Sequence, residues 1–212
     1  PFLNYSSKKM KKVKPKNAIK HPNWKMGKKI SVDSANLMNK FFEVIEAYKL
    51  FKFDKVKYRL VIHPQSYVHS IIKFKNGITK MILYNTDMKI PIFNTIYKKD
   101  KKYLYSYKTD VKILNRINFQ KVNPKKFPSI KLISKCAKLG SSTPIIINAA
   151  NEELVKAFLK GKIAFLDIVK LINKILSDKD LNQYAKRKIK TIKDIKIIDK
   201  WARLKTMDMC VI

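Results

Sequence analysis

Hydrophobic positions change their spacing several times along the chain. From Ser34 to Phe51 they recur at helical intervals. Leu37, Met38, Phe41, Ile45, Tyr48 and Leu50 make a broad apolar face, and Asp33 or Ser34 can cap the helix start. Next the period falls to two: Val56, Tyr58, Leu60 and Ile62 alternate with Lys57, Arg59 and Val61, the pattern of a strand. After "HPQS" a second strand is predicted from Val68 to Lys75, then Asn76-Gly77 as a two-residue hairpin signal, then a third strand from Ile78 to Leu83. Residues 1–20 carry lysine pairs, Pro15 and little periodicity, and read as a connecting segment. "YKKDKKYLYSYKTD" and "QKVNPKKFPS" are polar and read as a partly extended linker. After Pro128 helical spacing returns to the end of the chain, with helices stopping at Gly140 and Gly161. The predicted fold class is α+β. Helices on a small mixed or antiparallel sheet occupy 1–97, a linker 98–124, and a helical bundle 125–212.

Composition fits a packed chain. Of its 212 residues 46 % are hydrophobic and 11 % aromatic, which excludes disorder despite the charge. No stretch approaches the roughly 20 apolar residues of a membrane-spanning helix. Cys136 and Cys210 are far apart with no C-x-x-C spacing, so neither a disulfide scaffold nor a cysteine zinc site is expected, and a reducing cytoplasm fits. The chain begins at Pro1 without the features of a secretory signal, and is expected to continue something longer.

The net charge of +33 first suggests nucleic acid or an anionic membrane. Arginine, the better group for bidentate phosphate and guanine contacts, occurs only at Arg59, Arg116, Arg187 and Arg203. Lysine is spread along the whole chain, with abundant Ile and Asn and only 4 Gly. AT-rich codons would give that pattern in any protein. A nucleic-acid partner is therefore not favoured.

Candidate chemistry concentrates in the first third. At 100° per residue Asn39, Lys40 and Glu43 share one sector of a helix. Lys and Asn can hold an anionic, hydroxylated ligand, and Glu can ligate a hard metal ion. Ser34 at the helix start would meet free N–H groups that favour phosphate. The same pattern also describes a solvated face with an ordinary Lys–Glu pair. Glu46 lies one turn on, so wheel geometry does not choose between the two glutamates. His21, His63 and His69 match no zinc spacing, and structural roles are favoured for His63 and His69. "HPNWKMG" is a glycine-ended loop whose Trp24 suits either a lid over a ligand or packing on the core.

"HPNWKMGKKISVDSANLMNKFFEVIEAYKLF", "VIHPQSYVHSIIKFKNG", "DMKIPI" and "FPSIKL…NAANEELVKAFL" together closely resemble 1-deoxy-D-xylulose 5-phosphate reductoisomerase, in order and along essentially the whole chain. The likeness is to the later part of that enzyme, after its NADPH-binding Rossmann domain. The family rearranges 1-deoxy-D-xylulose 5-phosphate on Mg or Mn and reduces it with NADPH to 2-C-methyl-D-erythritol 4-phosphate, in the non-mevalonate isoprenoid pathway.

The resemblance implies that His21, Ser34, Asn39 and Lys40 bind substrate, chiefly at its phosphate, and that Glu43 also touches the substrate. Glu43, rather than Glu46, would be the metal ligand, with Lys40 and Glu43 catalytic. Trp24 would sit on a mobile lid over 21–27, touching substrate. Met26, Gly27 and Met88 would lie by the nicotinamide, and His69 would line the site without ligating. The family's acidic Asp-Ser-Glu and its "SGG" segment have no counterpart here, so two metal ligands and a substrate-binding Ser are missing. "LYNTDM" departs as well, with Tyr84 and Thr86 where a Gly and a Pro are usual. The resemblance further implies a homodimer in the cytoplasm, or in the stroma of a plastid-bearing organism. The 212-residue chain alone is expected to be inactive. The alternative is a decayed or reused basic fragment that binds nucleic acid.

Overall fold

A computed structural model describes residues 1–20, 26–51, 58–97, 103–104 and 111–210. His21, Trp24 and Val56 lie outside the described residues, as does most of 98–110. Among the described residues no helix is long and apolar enough to cross a membrane. The fold is α+β, with helices and two small antiparallel sheets. Contacts gather the chain into two compact units. One takes residues from 1–21, 26–58 and 123–212, and the other from 22–25 and 59–122. These units cut across the boundaries near 97 and 124, because the first helices pack with the last.

The first twenty residues are not a plain connector. They form α1 (Ser7–Lys11) and α2 (Pro15–Ala18). Ser6 caps α1 by accepting the Lys9 N–H at 3.3 Å, and Pro15 opens α2, where its missing N–H costs nothing. Such short helices leave no visible period. Where one helix was predicted there are two, α3 (Lys28–Asn36) and α4 (Met38–Phe51), joined at Leu37. Leu37 has φ 63° and ψ 19°, the left-handed conformation that an L side chain adopts at a cost of roughly 1–2 kcal/mol. On α4 the buried side chains are Met38, Phe41 and Val44, while Tyr48 and Leu50 at its far end are exposed.

The later helices form the rest of this unit. A 3₁₀ turn (Pro128–Ile130) leads into α7 (Lys131–Leu139), then α8 (Thr143–Leu159), α9 (Asp167–Ile175), α10 (Leu181–Ala185) and α11 (Ile192–Cys210), while α5 (Lys89–Ile96) and α6 (Val111–Leu114) belong to the other unit. α8 is the centre: it packs against α3, α7, α9, α10 and α11, and Ile146, Ile147, Ala150 and Leu154 are fully buried. α9 buries Ile168, Ile172 and Ile175, the i, i+4, i+7 stripe of an amphipathic helix. α11 starts on a reciprocal cap: Asp194 accepts the Thr191 N–H at 2.9 Å while Thr191 Oγ1 takes the Asp194 N–H at 3.4 Å. Cys136 is buried and Cys210 half-buried, both as free thiols, as expected; burial pushes the Cys136 thiol up to about 12.

Arg203 ties α11 to α8. Its guanidinium donates to Glu153 Oε1 at 2.7 Å, Glu152 Oε2 at 2.6 Å and Asp199 Oδ2 at 2.8 Å. Burial pushes the Glu153 carboxyl up, but the Lys156 and Arg203 bonds more than reverse this and leave it below its ordinary value. A carboxyl depressed in the folded state contributes stability above its unfolded pKa, near 4.3, and that contribution is lost as pH falls through the lower folded value. Arg203→Met, which leaves three carboxylates without their shared cation, is expected to cost about 2 kcal/mol at pH 7, and clearly less at pH 3. Urea midpoints at the two pH values check this.

The second unit holds β1 (Val61–Ile62), β2 (Val68–Lys73), β3 (Thr79–Leu83), α5 (Lys89–Ile96), α6 (Val111–Leu114) and β4 (Gln120–Lys121). β2 and β3 pair antiparallel, as the hairpin signal Asn76-Gly77 predicted, from Val68↔Leu83 to Lys73↔Thr79. The loop between them is longer than the two residues expected from Asn76-Gly77. Phe74 N–H donates to Ile78 O at 2.8 Å and Gly77 N–H to Phe74 O at 3.2 Å, with Gly77 at φ 89°. Gly77 thus supplies the left-handed residue of a three-residue loop. Segment 98–124, expected as a linker, carries α6 and β4 among its described residues, and β4 pairs with β1.

Candidate functional site

The α3–α4 elbow carries the sequence-predicted polar group. α3 begins at Lys28, so Ser34 lies in the last turn of α3 and not at a helix start, correcting the sequence expectation. Asp33 is no cap either: it is buried in α3. The capping role for α4 falls to Asn36, whose Oδ1 accepts the Met38 N–H at 2.9 Å. Ser34 still borders the start of α4, because its carbonyl accepts the Leu37 N–H at 3.4 Å across the elbow.

Asn39, Lys40 and Glu43 are brought together on the first turns of α4. Lys40 Nζ donates to Glu43 Oε1 at 2.9 Å and Oε2 at 2.8 Å, and Asn39 Nδ2 reaches Glu43 Oε1 at 3.5 Å. The Lys40 and Glu43 side chains are 43 % and 53 % exposed, so the pair adds little to stability and is open to a ligand. First-turn amides of α4 have no acceptor within the helix. Lys40 adds a positive charge where the helix end is already positive, an arrangement that an anion relieves.

Behind the elbow sits a buried polar cluster that sequence reasoning missed. Asp33 is fully buried, with Lys29 Nζ 2.8 Å from Oδ2 and Asn151 Nδ2 donating to Oδ1 at 2.8 Å. Burial pushes the Asp33 carboxyl up, against the pull of the Lys29 and Asn151 bonds. Ser129 Oγ donates to the Asn36 carbonyl at 2.5 Å. Nothing in the local sequence around Asp33 pointed to partners more than ninety positions away.

Met26 is half-buried just before α3, and Gly27 is the residue at its N-cap. A side chain at Gly27 would meet nothing within 4 Å, and its φ of −61° is open to any residue. Among the described residues neither conformation nor packing accounts for the glycine. In the second unit, Met88 is exposed at the start of α5, where Asp87 Oδ1 accepts the Lys89 N–H at 2.9 Å. His69 packs flat on Tyr84, ring centroids 3.6 Å apart, with Nε2 3.0 Å from the Tyr84 carbonyl. The residue that departs from the family pattern is thus the one that holds this histidine. His63 Nδ1 lies 2.9 Å from the Asn118 carbonyl, a structural role beside the β1–β4 pair, as expected. Among the described residues no three His, Cys, Asp or Glu side chains gather as a metal site.

Family descriptions match two stretches: "1-deoxy-D-xylulose 5-phosphate reductoisomerase C-terminal domain" over residues 1–51 and "DXP reductoisomerase C-terminal domain" over 83–205. The reductoisomerase of Pelagibacter ubique (strain HTCC1062) is 43 % identical over 211 residues, covering 100 % of this chain and 54 % of that protein. That of Zymomonas mobilis subsp. mobilis is 37 % identical over 204 residues, covering 96 % and 51 %. A Zymomonas mobilis reductoisomerase structure in complex with NADPH superposes with a TM-score of 0.87 at 33 % identity, covering 100 % of this chain and 53 % of that one. A DOX-P reductoisomerase structure in complex with NADPH, fosmidomycin and magnesium gives 0.91 at 35 %, covering 99 % and 52 %. The chain spans about half the length of the curated relatives it matches. With more than half of its residues inside one matching description, and the elbow inside the other, the chain belongs to the 1-deoxy-D-xylulose 5-phosphate reductoisomerase family.

Proposed function

We propose that this chain is the substrate-binding and C-terminal part of a reductoisomerase that converts 1-deoxy-D-xylulose 5-phosphate to 2-C-methyl-D-erythritol 4-phosphate. The observation that carries the reading is the convergence of Asn39, Lys40 and Glu43 at the start of α4, beside Ser34, in a member of this family. Lys40, Asn39, the Ser34 hydroxyl and the Asn39 and Lys40 amides of α4 hold the phosphate. His21 and Trp24 close over the substrate and exclude water.

The described residues do not fit a complete metal site. Glu43 is one carboxylate, and a hard divalent ion takes about six oxygen ligands. Its role here is one oxygen donor toward Mg or Mn, the others lying outside the described residues. The NADPH side fits better. Among the described residues a Cβ at Gly27 would meet nothing within 4 Å, so the backbone there admits a flat ring with Met26 beside it in sequence; the nicotinamide role of Met88 rests on the family likeness. When bound, NADPH supplies the hydride that reduces the rearranged aldehyde. The working enzyme is a homodimer in the cytoplasm. The nucleic-acid alternative rests on charge alone and has no support among the relatives.

The 212-residue chain by itself is expected to show no turnover. NADPH oxidation followed at 340 nm with 1-deoxy-D-xylulose 5-phosphate and Mn tests this. Measurable activity would mean that the cofactor and metal sites are complete within the chain.

A further inference from the structure

We infer that Asn151 and Ser129, on the C-terminal helices, are positioning residues that clamp the α3–α4 elbow in the bent form that binds phosphate. The inference rests on the phosphate cradle proposed above. Ser34 lies between two anchored residues. Asp33, just before it, accepts from Asn151 Nδ2 at 2.8 Å, and Asn36, two positions after it, has its carbonyl held by Ser129 Oγ at 2.5 Å. The partners are 118 and 93 positions away in sequence, and Asp33, Ser129 and Asn151 are all fully buried.

Collapse alone does not require these bonds. Val32, Ala35, Met38 and Phe41 already bury the apolar faces of the two helices. Apolar contacts are non-directional and let helices rotate or slide, whereas a buried hydrogen bond fixes register and is costly to break. The register matters at Leu37. Its left-handed backbone, φ 63°, is strained for leucine and persists only where its surroundings impose it. Release of either clamp lets Leu37 relax toward ordinary helical angles. Ser34 then turns away from Asn39 and Lys40, and the cradle loses one wall while the bundle stays folded.

Titration of the full chain with inorganic phosphate tests this, read from the amide NMR shifts of Asn39 and Lys40. Ser129→Ala and Asn151→Leu are each expected to raise the phosphate Kd at least fivefold. Ile198→Val, a core truncation on α11 with no bond to the elbow, is expected to change it less than twofold while also lowering the thermal midpoint. The exchange of Asp33→Asn with Asn151→Asp, which keeps a hydrogen bond between the two positions, is expected to regain most of the affinity. Equal Kd values in all variants, or an equal loss in Ile198→Val, would overturn the clamp and leave the cradle standing. No phosphate shift in the unaltered chain would overturn the cradle, and the clamp with it.

Discussion

Glu43→Gln, in a complete reductoisomerase containing this chain, is expected to lower kcat/KM by about 10³-fold, roughly 4 kcal/mol of transition-state stabilisation. Gln keeps the shape and one neutral oxygen but removes the charge that a hard cation requires. The loss would not come through folding. Glu43 is 53 % exposed, and its partner Lys40 43 %, so their ion pair contributes at most about 1 kcal/mol. Thermal midpoints within a few degrees of the parent would separate the two effects. Glu46→Gln is the internal control, expected to stay within twofold. A larger loss at Glu46 than at Glu43 would show that the wrong glutamate has been assigned to the metal.

Gly140→Ala is expected to cost the largest amount of stability of any single methyl added to the helical unit, at least about 3 kcal/mol. Gly140 ends α7 at φ 139°, a backbone conformation that side chains rarely adopt. A Cβ there would lie 2.3 Å from the Ala185 carbonyl oxygen and 2.8 Å from its carbon, both backbone atoms. The same carbonyl accepts the Ser142 N–H at 3.1 Å, and Ser142 Oγ donates to the Arg187 carbonyl at 2.6 Å, so relief by shifting α10 breaks two bonds more. Gly161 offers the comparison. It also has positive φ, 75°, but a Cβ there meets nothing within 4 Å. Gly161→Ala is therefore expected to cost only about 1 kcal/mol. Urea unfolding of the two variants measures the difference, and equal costs would rule out the close approach as its cause.

Gly140 was legible as a helix stop because glycine at a C-cap has a local cause. Its contact with Ala185 was not, because no local pattern records which distant backbone comes near. The elbow divides in the same way. The grouping of Asn39, Lys40 and Glu43 follows from helical periodicity within six residues, and held. The placement of Ser34 did not. Leu37 is an ordinary helix former, and nothing in "SVDSANLMNK" marks a left-handed residue there. The break is imposed by partners on α8 and the turn before α7, and partners so remote leave no periodic trace. The strand pair β2–β3 was legible from the Asn76-Gly77 signal between its two runs, while β4 was not, since two polar residues paired with β1 carry no pattern of their own. Family resemblance chose Glu43 over Glu46 where periodicity did not, and the bonds from Asn39 and Lys40 join Glu43 to the same polar group.

The packing of the first helices against the last has a consequence for biosynthesis. A ribosome releases α3 and α4 more than a hundred residues before Asn151 emerges. Until then Asp33 has no amide to meet, and α3 has no α8 to pack against. The nascent chain must carry an uncovered hydrophobic surface and an unanchored Asp33 while the next 118 positions are made. High sequence separation of this kind slows folding and lengthens exposure to aggregation. The dense, same-sign lysine coat that first suggested nucleic acid would serve such a chain by keeping copies apart during that interval.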